Sequence, residues 1–215
     1  MVIGATGLVG RSLVKQLLDD GRFEKVVIFV RRSMGLQHDA LDEHLIDFDH
    51  PENWQHLVKG DVLFSTLGTT LKKAGSKAAQ YKVDHDYQYQ FAAAAARNSV
   101  PVYVLVSAMG AGLRSPFFYS RMKAELERDV NELAFAKIAI LRPGPLDGPR
   151  QENRKGEKIA LAVIKSFNRL GLFRKYRPIM DHEVARAMIH AALTDKQGVM
   201  QVEGEALFQL AQRPV

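Results

Sequence analysis

Tyr119 and Lys123 stand four residues apart in the stretch YSRMK. On a helix that spacing puts both side chains on one face. An ammonium beside a phenol favours the phenolate, so such a pair can pass a proton to a carbonyl oxygen and take one back. Ser107 lies 12 residues before Tyr119, at the end of an apolar run, where its hydroxyl could orient that carbonyl.

A second group of residues sits near the start. Gly4-Ala5-Thr6-Gly7-Leu8-Val9-Gly10 follows the apolar stub MVI and precedes a helical pattern. Small residues between a strand and a helix let the backbone turn tightly and approach a pyrophosphate. The helix start then offers free N–H groups and the positive end of its dipole. Gly10 lets that helix lie close to the sheet. The second apolar strand ends in Arg31 and Arg32, where binders of a free ribose 2′-hydroxyl carry a carboxylate. A carboxylate would repel a 2′-phosphate, whereas a guanidinium grips it with two hydrogen bonds. The expected cofactor is therefore NADPH/NADP+ rather than NAD(H). Asp47, at the end of the third strand, is placed to accept from the adenine amino group. Leu67-Gly68 closes the fourth strand beside the adenine ribose and pyrophosphate. Lys123 would then hold the nicotinamide ribose, and Tyr119 would protonate a carbonyl as hydride leaves the ring.

Positioning these residues needs a layered α/β frame. Short apolar strands (MVI, KVVIFV, DVLFSTLG, VPVYVLVSAMG, AKIAILRPG and a weaker EHLIDF) alternate with helical patterns. The helices read as LVGRSLVKQLLDDG, stopped by Gly21 as C-cap, DHDYQYQFAAAAARN, and SPFFYSRMKAELERDVNEL, with Pro116 near its start. Continuous apolar strands between helices imply a parallel sheet buried on both faces. The alternation weakens after Gly144. Residues 1–145 read as the nucleotide-binding part and 146–215 as a small substrate lobe sharing the same sheet, within a single domain. That lobe holds a helix KIALAVIKSFNRLGLF, a strand RPIM, a helix DHEVARAMIHAAL, a strand GVMQVEG and a short last helix. Only three residues precede Gly4, where strands usually run about five to six; a truncated start would leave such a stub.

Composition narrows the class. The 215 residues are 47% hydrophobic, enough for one sizeable core. No apolar run approaches the roughly 20 residues of a membrane-spanning helix, and no signal peptide is read at the start. Cysteine is absent, which removes disulfides and thiolate metal sites and gives a cytoplasmic expectation. His38, His44, His50 and His56 recur every six residues, a spacing that shares no helix face, and no metal site is expected. The net charge is +6, and Arg150–Arg177 alone carries nine bases against two acids. Such a segment reads as a solvated face or as a surface that meets an anion. No basic stretch interleaved with aromatics points to nucleic acid.

Taken together, "GATGLVGR", "FVRRS", Asp47-Phe48, "LGTTLKKAGS", "VDHDY", "FFYSRMKAELE" and "LRPGPLDGPRQENR" resemble the short-chain dehydrogenase/reductase superfamily. The resemblance is to its atypical branch, and within that to oxidoreductases related to the HIV-Tat-interacting protein. It covers nearly the whole chain. It implies a Rossmann-type, doubly wound, mostly parallel sheet with a small C-terminal substrate lobe. It implies NADPH held by the first Gly turn (Gly4, Thr6, Gly7, Leu8, Val9, Gly10), by Arg31-Arg32 and by Leu67-Gly68. Tyr119 and Lys123 would lie at the nicotinamide, with Leu146 near it and Arg154 folding back toward the cofactor. Relatives often carry two serines where this chain has Ser107-Ala108, so a substrate contact from the second serine is missing.

Two functions follow as expectations. One is an NADPH-dependent oxidoreductase acting on a small carbonyl compound, with Tyr119 as acid/base beside Lys123 and Ser107. The other is a catalytically weak NADP(H)-binding regulator whose residues 146–177 meet a partner protein or a membrane surface. A nucleotide-sugar epimerase is a third reading, disfavoured by a lobe too short to hold a sugar nucleotide. Monomer and homodimer both fit.

Overall fold

The computed structural model describes residues 1–147 and 177–212. Strands β1 (Val2–Ile3), β2 (Val26–Val30), β3 (Leu41–Leu45), β4 (Val62–Ser65), β5 (Val102–Val106), β6 (Lys137–Arg142) and β9 (Gly198–Glu203) form one sheet in the order β3-β2-β1-β4-β5-β6-β9. Every neighbouring pair in it is parallel. A separate two-stranded ladder joins β7 (Leu146–Asp147) to β8 (Ile179–Met180). The strand order reverses between β1 and β4, and in parallel α/β sheets ligands bind outside the carboxyl ends of the strands at that point.

Alternation along the strands divides the core into two layers. Val2, Ile28, Phe64, Val104, Ala139 and Leu141 face α1 (Leu8–Asp19), α6 (Asp181–Leu193) and α7 (Glu205–Ala211). Ile3, Phe29, Leu63, Tyr103, Leu105 and Ile140 face α4 (Tyr87–Arg97) and α5 (Phe118–Asn131). Val9, Leu13 and Leu17 recur at intervals of four and bury one stripe of α1; each such side chain contributes on the order of 2 kcal/mol. Gln16 Nε2 adds a 3.1 Å bond to the His182 carbonyl, tying α1 to α6. On the other face the alanine run lets α4 lie low, with Ala92, Ala94 and Ala95 buried and Trp54 stacked 3.9 Å from Phe91.

Some boundaries differ from the sequence reading. Gly21 does not cap α1; the helix passes to Asp20, in an extended conformation, and Asp20 Oδ1 accepts from the Arg22 N–H at 3.1 Å. That side-chain bond replaces the left-handed glycine. β3 lies at Leu41–Leu45 rather than at EHLIDF, and its half-exposed residues fit a sheet edge. The helix expected from Asp84 begins earlier. Short α2 (Leu71–Ala74) is followed by α3 (Lys77–Tyr81), which runs through a π turn (Lys82–Asp86) into α4. The reading missed this because the polar Asp84 and Gln88 interrupt the apolar pattern, yet both side chains are buried. β1 is two residues long; hydrogen bonds on both sides of Met1, from its nitrogen to the Val62 carbonyl and from the Phe64 N–H to its own, extend the ladder. The expected helix KIALAVIKSFNRLGLF lies outside the described residues.

Candidate functional site: a cleft at the strand ends

The loops after β1, β4, β5 and β6 open onto one cleft of about 1450 Å³ at the carboxyl edge of the sheet. At one end is the start of α1. Gly7 is its N-cap, no side chain caps it, and no acidic residue lies in its first turn. Thr6, Gly7, Leu8 and Val9 line the cleft there. Gly4 and Gly10 stand behind this wall. Gly4 has φ +79°, and a Cβ on it would come within 2.4 Å of the Leu67 nitrogen. A Cβ on Gly10 would lie 2.1 Å from the Gly4 carbonyl oxygen and 2.8 Å from Thr66 Oγ1. These two glycines therefore let the turn, the helix and the end of β4 touch, and Gly7 is the one that faces the cleft.

The middle of the cleft is the segment after β4. Thr66 Oγ1 donates to the Ile3 carbonyl at 2.9 Å and joins this segment to β1. Leu67, Gly68 and Thr69 line the wall. Behind them is Asp84, 1% exposed, whose Oδ2 accepts from the Thr69 N–H at 2.8 Å. Burial pushes the Asp84 carboxyl above the usual range, opposed by the Lys123 charge and the Thr69 N–H.

The far end carries Ser107, Tyr119 and Lys123, all of which line the cleft. Ser107 follows β5, its N–H held by the Leu141 carbonyl at 2.8 Å. It is 4% exposed, and its hydroxyl has no hydrogen-bond partner among the described residues. Buried hydroxyls usually have one, so this oxygen is available to a ligand. Tyr119, on the first turn of α5, is 42% exposed at the rim. Lys123, one turn on, is 3% exposed, with Nζ 3.4 Å from the Val106 carbonyl and 4.0 Å from Asp84 Oδ1. Its three donors exceed these partners, leaving one for the cleft. Farther along α5, Glu127 accepts from Arg142 Nε at 2.9 Å and from Nη2, which clamps the helix to β6.

The other expected residues divide. Leu146 lines the cleft. Arg31 and Arg32 are exposed at the end of β2 and are not part of the cleft wall. Asp47 lies two residues past β3, exposed, its Oδ1 accepting from the Asp49 N–H at 3.0 Å and its carbonyl from Trp54 Nε1 at 2.9 Å. Arg154 and most of the basic segment lie outside the described residues. Sequence reasoning missed Asp84, whose signal was a polar pair, Asp84 and Gln88, one turn apart on the buried face of a helix. It also missed the lining residues Lys77 and Phe118, which form a cation–π pair at 5.6 Å.

A parallel sheet with a glycine turn at its switch point, an open helix start, and a buried serine and lysine at the far end of the cleft defines a dinucleotide-binding protein of the Rossmann type. More narrowly, the chain belongs to the NAD(P)H-binding family whose model matches residues 4–195. It is an atypical short-chain dehydrogenase/reductase related to the HIV-Tat-interacting protein. Protein FMP52 of Eremothecium gossypii, named as mitochondrial, is 36% identical over 99% of this chain and 97% of its own length. Protein HTATIP2 of Rattus norvegicus is 32% identical over 97% of this chain and 87% of its own. Among solved structures, the UDP-N-acetylglucosamine 4-epimerase of Methanobrevibacter ruminantium has a TM-score of 0.69 at 20% identity, covering 94% of this chain and 75% of that one. At that identity it speaks for the fold alone. The cytoplasmic expectation is corrected: matching FMP52 proteins from several fungi are named as mitochondrial. A chain without cysteines can form no disulfide in any compartment, so their absence fixes no location.

Proposed function

We propose that the chain is an NADPH-dependent oxidoreductase that reduces a small carbonyl compound. What supports this most is one cleft that joins the uncapped start of α1 to Ser107, Tyr119 and Lys123. The residues fit a dinucleotide on their own account: a turn with no room for a Cβ at Gly4 or Gly10, a helix start without acids, and at the opposite end a buried hydroxyl without a partner among the described residues. Gly7, Leu8 and Val9 would hold the pyrophosphate through backbone N–H groups, with Leu67 and Gly68 along its flank. Arg31 and Arg32 would hold the 2′-phosphate, since the end of β2 offers two guanidiniums and no carboxylate. When bound, the nicotinamide supplies hydride.

The chain's own residues do the rest. Ser107 Oγ donates to the carbonyl oxygen and orients it. Tyr119 gives its phenolic proton to that oxygen as charge develops there. Lys123 supplies positive charge one helical turn away, favouring the phenolate that remains, and holds ribose hydroxyls with its free donor. The experiment is NADPH oxidation over a carbonyl panel by the wild type and Tyr119→Phe. Loss of about 100-fold or more in turnover, with NADPH affinity kept, is expected; equal turnover by both would sink the role of Tyr119.

Ala108 on the cleft wall favours a second reading. Without a second serine the protein would bind NADP(H) and act as a regulator, engaging a protein or membrane partner through residues 146–177. Its sign is tight NADPH binding with no reduction across the panel and a salt-sensitive partner. Location at mitochondria, proposed from the names of the fungal relatives, is tested by fractionating cells that express the tagged chain.

A further inference from the structure

We infer that Asp84 is a positioning residue of this site, its carboxylate tying the Lys123 ammonium to the Gly68–Thr69 turn. The inference rests on the role proposed for Lys123. Both side chains are withdrawn from solvent, at 3% exposure for Lys123 and 1% for Asp84, with Nζ and Oδ1 4.0 Å apart. A buried ammonium is costly without a compensating charge, and so is a buried carboxylate. The groups facing Lys123 can be named element by element. Its own helix offers Tyr119 one turn before and Glu127 one turn after, but Glu127 is turned to Arg142. The end of β5 offers the Val106 carbonyl and the Ser107 hydroxyl, neither of them charged. The π turn offers Asp84, the carboxylate that reaches Nζ among the described residues.

The same carboxylate shapes the opposite wall. Oδ2 takes the Thr69 N–H at 2.8 Å, and Oδ1 stands 3.2 Å from where a Gly68 Cβ would be. A larger residue at position 68 would press on Asp84. The π turn sets this placement: the Asp84 carbonyl accepts from Gln88 Nε2 at 2.6 Å, and Ser65 Oγ donates to Gln88 Oε1 at 2.6 Å. The Thr69 N–H and the buried Gln88 and Ser65 thus fix Asp84 between the wall that would face the dinucleotide and the lysine at the reacting end. Burial raises the carboxyl and the lysine charge opposes that, consistent with a carboxylate that depends on its partner.

Asp84→Asn keeps the size and the acceptor for Thr69 and removes the charge. The first readout needs no cofactor. In ¹⁵N-lysine-labelled protein the Lys123 ammonium, assigned by its absence in Lys123→Met, should give a protected signal in the wild type. In Asp84→Asn its proton exchange should be at least about tenfold faster, or the signal lost. Identical signals in the two proteins overturn the inference. On a reduced carbonyl, kcat should fall at least about tenfold while KM for NADPH moves less than about threefold. A wild type without turnover removes the proposed reaction and leaves the lysine signal to decide the pairing. Should Asp84→Asn fold poorly, Asp84→Asn/Lys123→Met should be more stable than Asp84→Asn alone; simple additivity of the two losses counts against the pair.

Discussion

The α-carbon of Gly10 faces the carbonyl oxygen of Gly4 so closely that a Cβ on it would lie 2.1 Å from that oxygen. Gly10→Ala must therefore shift α1 away from β1 and β4. The expected cost is about 2–3 kcal/mol of stability, in the range of overpacked cores. Because the helix start moves with it, NADPH affinity should fall as well. Denaturant midpoints and NADPH fluorescence titration check both; a variant as stable as the wild type would mean that the turn relaxes freely.

Arg31 and Arg32 are exposed where β2 ends, so their loss should not disturb the core. The double substitution Arg31→Glu/Arg32→Glu places two carboxylates where a 2′-phosphate would sit. NADPH affinity should drop about 100-fold, since charge-assisted pairs are lost and repulsion is added. NADH affinity should change by less than about threefold. Fluorescence titration of both dinucleotides decides it, and parallel losses would place the 2′-phosphate elsewhere.

Arg142 holds Glu127 through two nitrogens and lies 3.7 Å from Glu203 through the third. Arg142→Gln leaves the Glu127 carboxylate, 7% exposed, without its cation. The expected loss is about 3 kcal/mol, the lower part of the range for a broken buried pair. Glu127→Gln on top of it should recover much of that. Since α5 also carries Tyr119 and Lys123, turnover should fall more than NADPH affinity. Melting curves of the single and double variants, with kcat and Kd beside them, measure the coupling.

The parts of this molecule that repeat a local rule were legible from sequence. Apolar runs announced the parallel strands, the spacing of Val9, Leu13 and Leu17 announced α1, and three glycines marked the switch-point turn. What escaped reading depends on contacts across the chain. Asp84 reads as an ordinary helix-start acid until Thr69, Gly68 and Lys123 surround it. Gly21 reads as a C-cap until Asp20 takes the Arg22 N–H. In each case a side-chain hydrogen bond, invisible to periodicity, chose the geometry.

Lys137 shows the same principle in a structural role. Its Nζ, buried below β6, donates to the carbonyls of Ala192 at 2.6 Å and Thr194 at 2.5 Å, closing the C-terminal end of α6. Lys137→Met keeps the stem and leaves those carbonyls without a donor, at an expected cost of about 2 kcal/mol. Burial holds the Lys137 ammonium below the usual lysine range of 10.5. Just below that pH Lys137 binds fewer protons in the folded state than in the unfolded one, so its own contribution to stability rises with pH there. The variant should lack that rise. Urea unfolding at neutral and at alkaline pH tests the cost and the slope together, and NADPH affinity should be unchanged.

Ser107 separates stability from function. Its hydroxyl is buried without a partner among the described residues, and an unsatisfied buried hydroxyl costs about 1–3 kcal/mol. Ser107→Ala removes that cost and the lost oxygen is small, so the variant should melt at the same temperature as the wild type or above it. A serine kept only for packing would give no further effect. A serine that orients a carbonyl gives a second one: kcat/KM for the reduced substrate should fall about 10- to 100-fold, with NADPH affinity within about threefold. Rising stability with falling turnover is the signature of a group whose hydrogen bond is held for the ligand. Falling stability would instead reveal an internal partner for the hydroxyl, and the carbonyl would then have to be oriented by Tyr119 alone.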